Sequence, residues 1–285
     1  MLCFFASDLH AREDRYRKLW DAVRAERPEV VLLGGDLLPS AMHALTSGCL
    51  AQEEFLATWL SGELSLLRSE LGSAFPRVLV IPGNDDGRFE EAAFLEAERK
   101  GVLEYIAVRK VMLGGTPLYG YPYVPPTPFR LKDWERYDVS RFVDPGCVPP
   151  EDGLHSQPFV DQPPFPTIQE DLAQLVGTDD LSRAVFLFHC PPYQSKLDRA
   201  ALDGKMFDHC PLDVHVGSIA IRRLIETYQP LLTLHGHVHE SARLTGSWRE
   251  TIGRTICLSA AHDGPELALV SFELGDPGNA SRRLL

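Results

Sequence analysis

Apolar residues in this chain fall in short runs separated by stretches with helical spacing. Leu2–Ala6 is one run, and Tyr16, Leu19, Trp20 and Val23 follow at intervals of three and four, which lines one face of a helix. Val30–Leu33 is the next run, and Leu50–Leu71 carries a long helical pattern. Val78–Ile81 is a third run, and Phe89–Lys100 a further helix that Gly101 stops. Strands alternating with helices predict parallel pairing through right-handed crossovers. Val102–Val111 and Pro117–Tyr121 read as further strands.

The texture then changes. Residues 122–166 contain eleven prolines, several aromatics and no sustained period. Proline lacks the N–H that a ladder needs, so this stretch predicts a long irregular excursion over the surface. Core-like patterning resumes on both sides, which makes it an insertion in one domain spanning 1–285. Thr167-Ile168-Gln169-Glu170 has the form of a capping box that starts the next helix. Strands are expected at Ala184–Phe188 and Leu231–Leu234, with a helix near Ser218–Tyr228 between them, and shorter strands at Thr255–Ser259 and Leu267–Phe272.

Composition narrows the function classes. The chain has 285 residues, enough for one large domain with insertions, and a net charge of −12 from 40 acidic and 28 basic residues. Such a surface disfavours non-specific binding to nucleic acid or acidic membranes, yet admits a small phosphorylated substrate if metal ions reverse the sign locally. No stretch approaches the roughly 20 apolar residues of a membrane span. Six scattered cysteines without a C-x-x-C pair argue against a zinc knuckle or a disulfide framework and fit a reducing cytoplasm.

Five clusters place metal-binding residue types directly after an apolar run. They are Asp8-x-His10, Gly34-Gly35-Asp36, Gly83-Asn84-Asp85-Asp86, His189, and Gly236-His237-Val238-His239. In an open α/β sheet the carboxyl ends of parallel strands share one edge, so these side chains can converge there. Taken singly, D-x-H, G-G-D and the lone His are as well explained by a strand-to-loop turn or a packed structural histidine, while G-H-V-H is more specific, because two His one residue apart point to the same side of a strand. Together they form a coherent donor set of carboxylates, imidazoles and a neutral amide, suited to Mn, Fe or Zn. Two such ions about 3.5–4 Å apart can activate a water for in-line displacement at phosphorus. Holding them close needs a shared carboxylate, and Asp36 is the natural bridge. The glycines before Asp36, Asn84 and His237 let the backbone turn at a crowded edge.

The order D-x-H, G-G-D, G-N-x-D, H, G-H-x-H resembles the signature of the calcineurin-like metallophosphoesterases, from Asp8 to His239. The resemblance implies a four-layer α-β-β-α sandwich of two mixed sheets flanked by helices, with the site at the strand C-terminal edge. It implies Asp8, His10 and His239 for one metal, Asn84, His189 and His237 for the other, and Asp36 shared. The implied reaction is hydrolysis of a phosphate ester by a metal-bridging hydroxide. A non-catalytic protein-interaction module on the same fold is the alternative.

One position departs from the pattern. Many relatives read G-N-H-[D/E], where the His protonates the leaving oxygen; here Asp85 stands in its place. Either Asp85 donates the proton, or water or another group does, or the substrate has a good leaving group. With Pro82 before Gly83, where phosphoprotein-directed relatives usually have arginine, this change points to phosphodiesters.

A second block resembles one prokaryotic branch of the family: His189-Cys190-Pro191-Pro192-Tyr193, Lys196-Leu197-Asp198, and His215-Val216-Gly217-Ser218. Ser218 reads as the N-cap of a helix whose free N–H groups suit an anion, and Lys196 and His215 as charge for a phosphate. The alternatives are a plain cap, a solvated lysine and a packed histidine. The insertion's aromatics (Tyr121, Tyr123, Phe129, Trp134, Tyr137) read as a wall over the site, or else as a packed surface loop or the contact of a homo-oligomer.

Overall fold

In the computed structural model, which describes residues 1–47, 55–158 and 166–285, two six-stranded mixed sheets pack face to face. The first sheet contains β1 (Leu2–Ala6), β2 (Val30–Gly34), β3 (Arg77–Ile81), β4 (Glu104–Tyr105), β13 (Ala268–Glu273) and β14 (Asp276–Leu284). Its order is β14-β13-β1-β2-β3-β4, with β1 to β4 parallel and β13 and β14 antiparallel at one edge. The second contains β5 (Arg109–Leu113), β6 (Thr116–Tyr121), β7 (Val185–Phe188), β10 (Leu232–His235), β11 (Arg249–Ile252) and β12 (Thr255–Ser259). Its order is β11-β12-β10-β7-β6-β5, parallel through the centre. A two-stranded ribbon, β8 (Met206–Phe207) with β9 (Cys210–Pro211), stands apart from both.

The two-residue period of the strands divides the core into three layers. Cys3, Phe5, Leu32 and Ile81 face Leu118, Leu187, Leu234 and Leu258 between the sheets. Their neighbours Phe4, Ala6, Val31 and Val80 point outward, under α1 (Glu13–Glu26), α3 (Ser61–Leu71) and α4 (Glu91–Arg99). On the opposite outer face Tyr119, Phe186 and Phe188 pack against α5 (Ile168–Val176) and α6 (Ile219–Tyr228). The central strands are therefore buried on both faces, which is why they read as unbroken apolar runs. The result is the four-layer sandwich.

Several elements match the expected bounds, among them the capping box. Thr167 Oγ1 accepts the Glu170 N–H, and Glu170 returns to the Thr167 N–H. The expected strand Val102–Val111 is instead two, β4 and β5, in different sheets; Val108, with φ of 52°, marks where the chain crosses over. Residues 50–54 of the expected helix Leu50–Leu71 lie outside the described residues; beyond them the chain runs as a π-helical segment, Phe55–Leu60, and then α3. A short helix, α2 (Ala41–Ser47), lies earlier in the chain. The nine-residue β14 carries Asp276, Pro277, Gly278 and Asn279, without the alternation that marks a strand. It is an edge strand and needs only one partner.

Within the described part of 122–166 the backbone is irregular, tied by isolated bridges such as Val124 to Glu135 and Leu131 to Leu154. It has its own polar interior. Lys132 and Glu135 are fully buried, 2.5 Å apart, and Thr127 donates to and is held by the same carboxylate. Burial opposes the charge on both, and the ion pair with its hydrogen bonds offsets that penalty. Of the five aromatics expected as a wall, Tyr121, Tyr123 and Trp134 pack into the core beneath α5, and Tyr137 is buried with its hydroxyl on Glu151. Only Phe129 is exposed.

Candidate metal centre

Strands β1, β2 and β3 are parallel neighbours whose ends align, with Ala6 opposite Leu33 and Gly34 opposite Ile81. Asp8, Asp36 and Asn84 therefore leave three adjacent strands at one level. Strands β7 and β10 do the same in the facing sheet and deliver His189 and His237. The two sheets are sewn together at this edge. His189 Nδ1 donates to Gly34 O at 2.8 Å, and the His237 N–H donates to Asp8 Oδ1 at 3.0 Å.

The approach is close enough to exclude side chains. A Cβ on Gly83 would collide with Asp36 Oδ1, and one on Gly236 would lie 2.6 Å from Ser7 Oγ. The glycines at these two positions serve close packing. Gly35 does turn the backbone before Asp36, with φ of 96°, and the donors share the sharp turning: Asp8, His10, Asp36 and His237 have φ of 58°, 47°, 52° and 71°. A left-handed conformation in a non-glycine residue costs of order 1–3 kcal/mol and persists where surrounding structure imposes it. Four such residues at one strand edge mark a built site.

Ligand atoms of Asp8, His10, Asp36 and His239 lie within 4.8 Å of one another. A second group adjoins it. His189 Nε2 is 3.1 Å from Asn84 Oδ1 and 3.4 Å from Asp36 Oδ2, and the His237 ring lies 5.2 Å from the His189 ring, centroid to centroid. Asp36 touches both groups, since its Oδ2 is also 4.0 Å from His10 Nε2.

Charge at the site is cation-seeking. Burial opposes ionisation of Asp8 and Asp36, yet the imidazoles outweigh it: His239 and His189 hold Asp8 down to about 2, and His189 and His10 hold Asp36 well below the usual carboxylate range. The same pairing overcomes the effect of burial on the rings, lifting His10 to about 9 through Asp85, Asp36 and Asp8, and His189 to about 9 through Asp36. Packing and the neighbouring His189 push His237 down to about 3 and keep it neutral. Two buried carboxylates thus draw positive charge onto their neighbours. A metal cation can supply that charge in place of protons, and these hard and borderline donors fit a divalent ion.

A family model for calcineurin-like phosphoesterases matches residues 1–241. The chain belongs to that family. A solved crystal structure shares 16% identity over 99% of this chain and 98% of its own, with a TM-score of 0.61. The crystal structure of TT1561 of Thermus thermophilus shares 15% identity over the same fractions, with a TM-score of 0.57. At that identity the likeness concerns the fold. No curated protein matches the chain.

Two acids follow Asn84 in this calcineurin-like phosphoesterase, and they do different work. Asp85 is partly exposed, accepts the Ser40 hydroxyl at 2.6 Å, and has Oδ2 at 3.5 Å from His10 Nδ1. Asp86 is fully buried and points the other way. Its carboxylate accepts the N–H groups of Leu37, Leu38 and Gly83, so it braces the loops that carry Asp36 and Asn84. Burial and the nearby Asp36 charge push its pKa up, to about 7, against the pull of those donors. Sequence reasoning missed this bracing role, because only the fold shows which loop a buried acid faces. Arg15, from α1, is a second support, donating to Asp8 O at 2.7 Å.

A cavity of about 710 Å³ opens beside the centre, with His237, Val238 and Glu240 in its lining. The insertion and the segment from Tyr193 to Ile219 form its walls. His215 lines it, and its Nδ1 donates to the buried Asp198 at 2.8 Å. Ser218 does cap α6, accepting the Ile221 N–H at 3.1 Å. The anion at that helix start is the chain's own Asp138, which accepts the Ser218 hydroxyl and the N–H groups of Ile219 and Ala220. Lys196 does not line the cavity. Its side chain is exposed, and its backbone N–H donates to Glu250.

Proposed function

We propose that this chain is a metal-dependent phosphodiesterase with two metal ions at the strand edge. The observation that carries the reading is Asp36, whose carboxylate lies 3.4 Å from His189 Nε2 and 4.0 Å from His10 Nε2, between the two ligand groups. Asp8, His10 and His239 would hold one ion, Asn84, His189 and His237 the other, and Asp36 would contribute to both. The donor set fits Mn, Fe or Zn. When bound, such ions supply an activated water and neutralise phosphoryl oxygens.

The chain's own residues then divide the remaining work. Asp86 fixes the two loops that place Asp36 and Asn84. Asp85, held by Ser40 and partly open to solvent, is the candidate to deliver a proton to the leaving oxygen. His215, fixed by Asp198 and facing the cavity, is the substrate contact we favour. No helix among the described residues is long and apolar enough to cross a membrane. The five described cysteines are free, which supports a cytoplasmic setting.

The test is metal analysis paired with turnover of bis(4-nitrophenyl) phosphate and 4-nitrophenyl phosphate after reconstitution with Mn²⁺. Two metals per chain with preferential cleavage of the diester is the expected result. Bound metal without turnover of either ester would overturn the enzymatic reading.

A further inference from the structure

We infer that the cavity beside His237 binds the second ester group of the substrate, and that this group is apolar and carries no negative charge. The inference rests on the phosphodiesterase reading and names its substrate class. His237, a metal-ligand position, is part of the cavity lining, so a group that fills it can belong to the same molecule as a phosphate held at the centre.

Charge is the first argument. Among the described residues that line the cavity there is no lysine or arginine, while Asp144, Asp213 and Glu240 all border it. His215 is the one lining histidine besides His237, and it is paired with Asp198. A second phosphate, a carboxylate or a nucleic-acid strand would meet an anionic wall with no counter-charge. Volume is not the restriction, because about 710 Å³ lies within the usual range for sites that enclose a small organic group.

The second argument is the chemistry of the wall. Phe129, Phe142 and Phe207 line the cavity and remain 61%, 70% and 51% exposed. Exposed phenylalanines gathered around one cavity gain by burial only when something apolar enters. Pro125, Pro126, Pro128 and Pro145 make up much of the rest, and proline offers no backbone N–H. The neutral polar groups Thr127 Oγ1 and the Tyr193 hydroxyl already donate to Glu135 and Asp213, so a sugar or base placed there would leave the phenylalanines uncovered, whereas an apolar group covers them.

The walls are fixed in advance, which limits the ordering cost of binding. Asp138 ties the insertion to the start of α6, with the Ile219 N–H at 2.6 Å. On the other side the Phe207 ring lies against Gly146, where an added Cβ would sit 3.2 Å from Cδ2.

The experiment compares substrates that share 4-nitrophenol as leaving group and differ in the second ester group: phenyl, methyl, and thymidine 5′-linked. The phenyl ester is expected to exceed the methyl ester in kcat/KM by about tenfold or more, the scale set by apolar groups in a fitted pocket. The thymidine ester gains nothing over methyl. Phe142→Ser and Phe207→Ser, both at exposed positions, are expected to move the phenyl-to-methyl ratio toward one, with thermal melting as the check on folding. Calorimetric titration of the Mn²⁺-loaded protein with diphenyl phosphate and dimethyl phosphate reads the same preference in binding. Equal values for phenyl and methyl, a preference for thymidine, or diphenyl phosphate binding no more tightly than dimethyl phosphate would each overturn the inference. Absence of all turnover refutes the enzymatic reading alone, and the titration still decides this one.

Discussion

Asp36 Oδ1 accepts the backbone N–H of Asp85 at 2.8 Å while Oδ2 of the same carboxylate lies 3.4 Å from His189 Nε2. One side chain thereby fixes the β3 loop of the first sheet and faces the β7 terminus of the second. Asp36→Asn keeps the size and shape of the group and removes its charge. It is expected to lose metal at both ligand groups and to lower kcat/KM by more than the roughly 10–100-fold typical of outer supporting residues. Elemental analysis alongside diesterase assay checks it, and an active two-metal variant would refute the shared role.

Asp86 braces the loops from below, so its effect should be graded. Asp86→Asn leaves a neutral amide facing three N–H donors. An unsatisfied buried donor costs about 1–3 kcal/mol, and a distorted supporting shell about 10–100-fold in metal affinity. Metal titration and thermal melting of the metal-free protein separate the two effects. A melting change without any change in metal affinity would show that Asp86 supports only the fold.

Asp85 answers to leaving-group chemistry. If it delivers the proton, Asp85→Asn should slow alkyl phosphodiesters by about 10²-fold or more, the low end for general acid catalysis, and 4-nitrophenyl esters far less. The check is the slope of log kcat against leaving-group pKa, which should steepen in the variant. An unchanged slope removes Asp85 from proton transfer.

Asp138 anchors the insertion to α6 through the Ser218 hydroxyl and two N–H groups. Asp138→Ala deletes all three bonds. Loss of such a helix-start anchor costs up to about 2 kcal/mol, or a fall in Tm of up to about 3 °C for a chain of this size. Calorimetry measures it. KM for apolar diesters should rise as well, because the wall of the cavity is released.

Cysteine labelling reports on burial directly. Burial raises the thiols of Cys3 and Cys257 to about 12, whereas Cys210 is exposed. At pH 8 a thiol with that pKa is ionised in only about one molecule in ten thousand, and the fraction grows as pH rises toward 12. Peptide mapping after brief alkylation at pH 8 should find Cys210 modified well before Cys3 and Cys257. Equal modification would contradict the packing of β1 and β12.

Much of the framework was legible from residue order. Strands β1, β2, β3, β7 and β10 are buried on both faces, so their runs are unbroken, and each is followed by a residue type that binds metal. That local arrangement fixed the strand-end placement of Asp8, Asp36, Asn84, His189 and His237 through parallel pairing alone. It also fixed the start of α5, because a capping box closes within four residues. What tertiary structure alone decided lies where long-range contact outweighs local pattern. The edge strand β14 has no periodic signature, since one partner and half-exposure do not require one. Val102–Val111 divides between two sheets because packing, not propensity, turns the chain at Val108. Ser218 holds an internal carboxylate from 80 residues earlier in the chain, and no spacing rule reaches that far. The aromatics of the insertion are equally apolar on paper; burial sends Tyr123 and Trp134 into the core and leaves Phe129 and Phe142 to line a cavity.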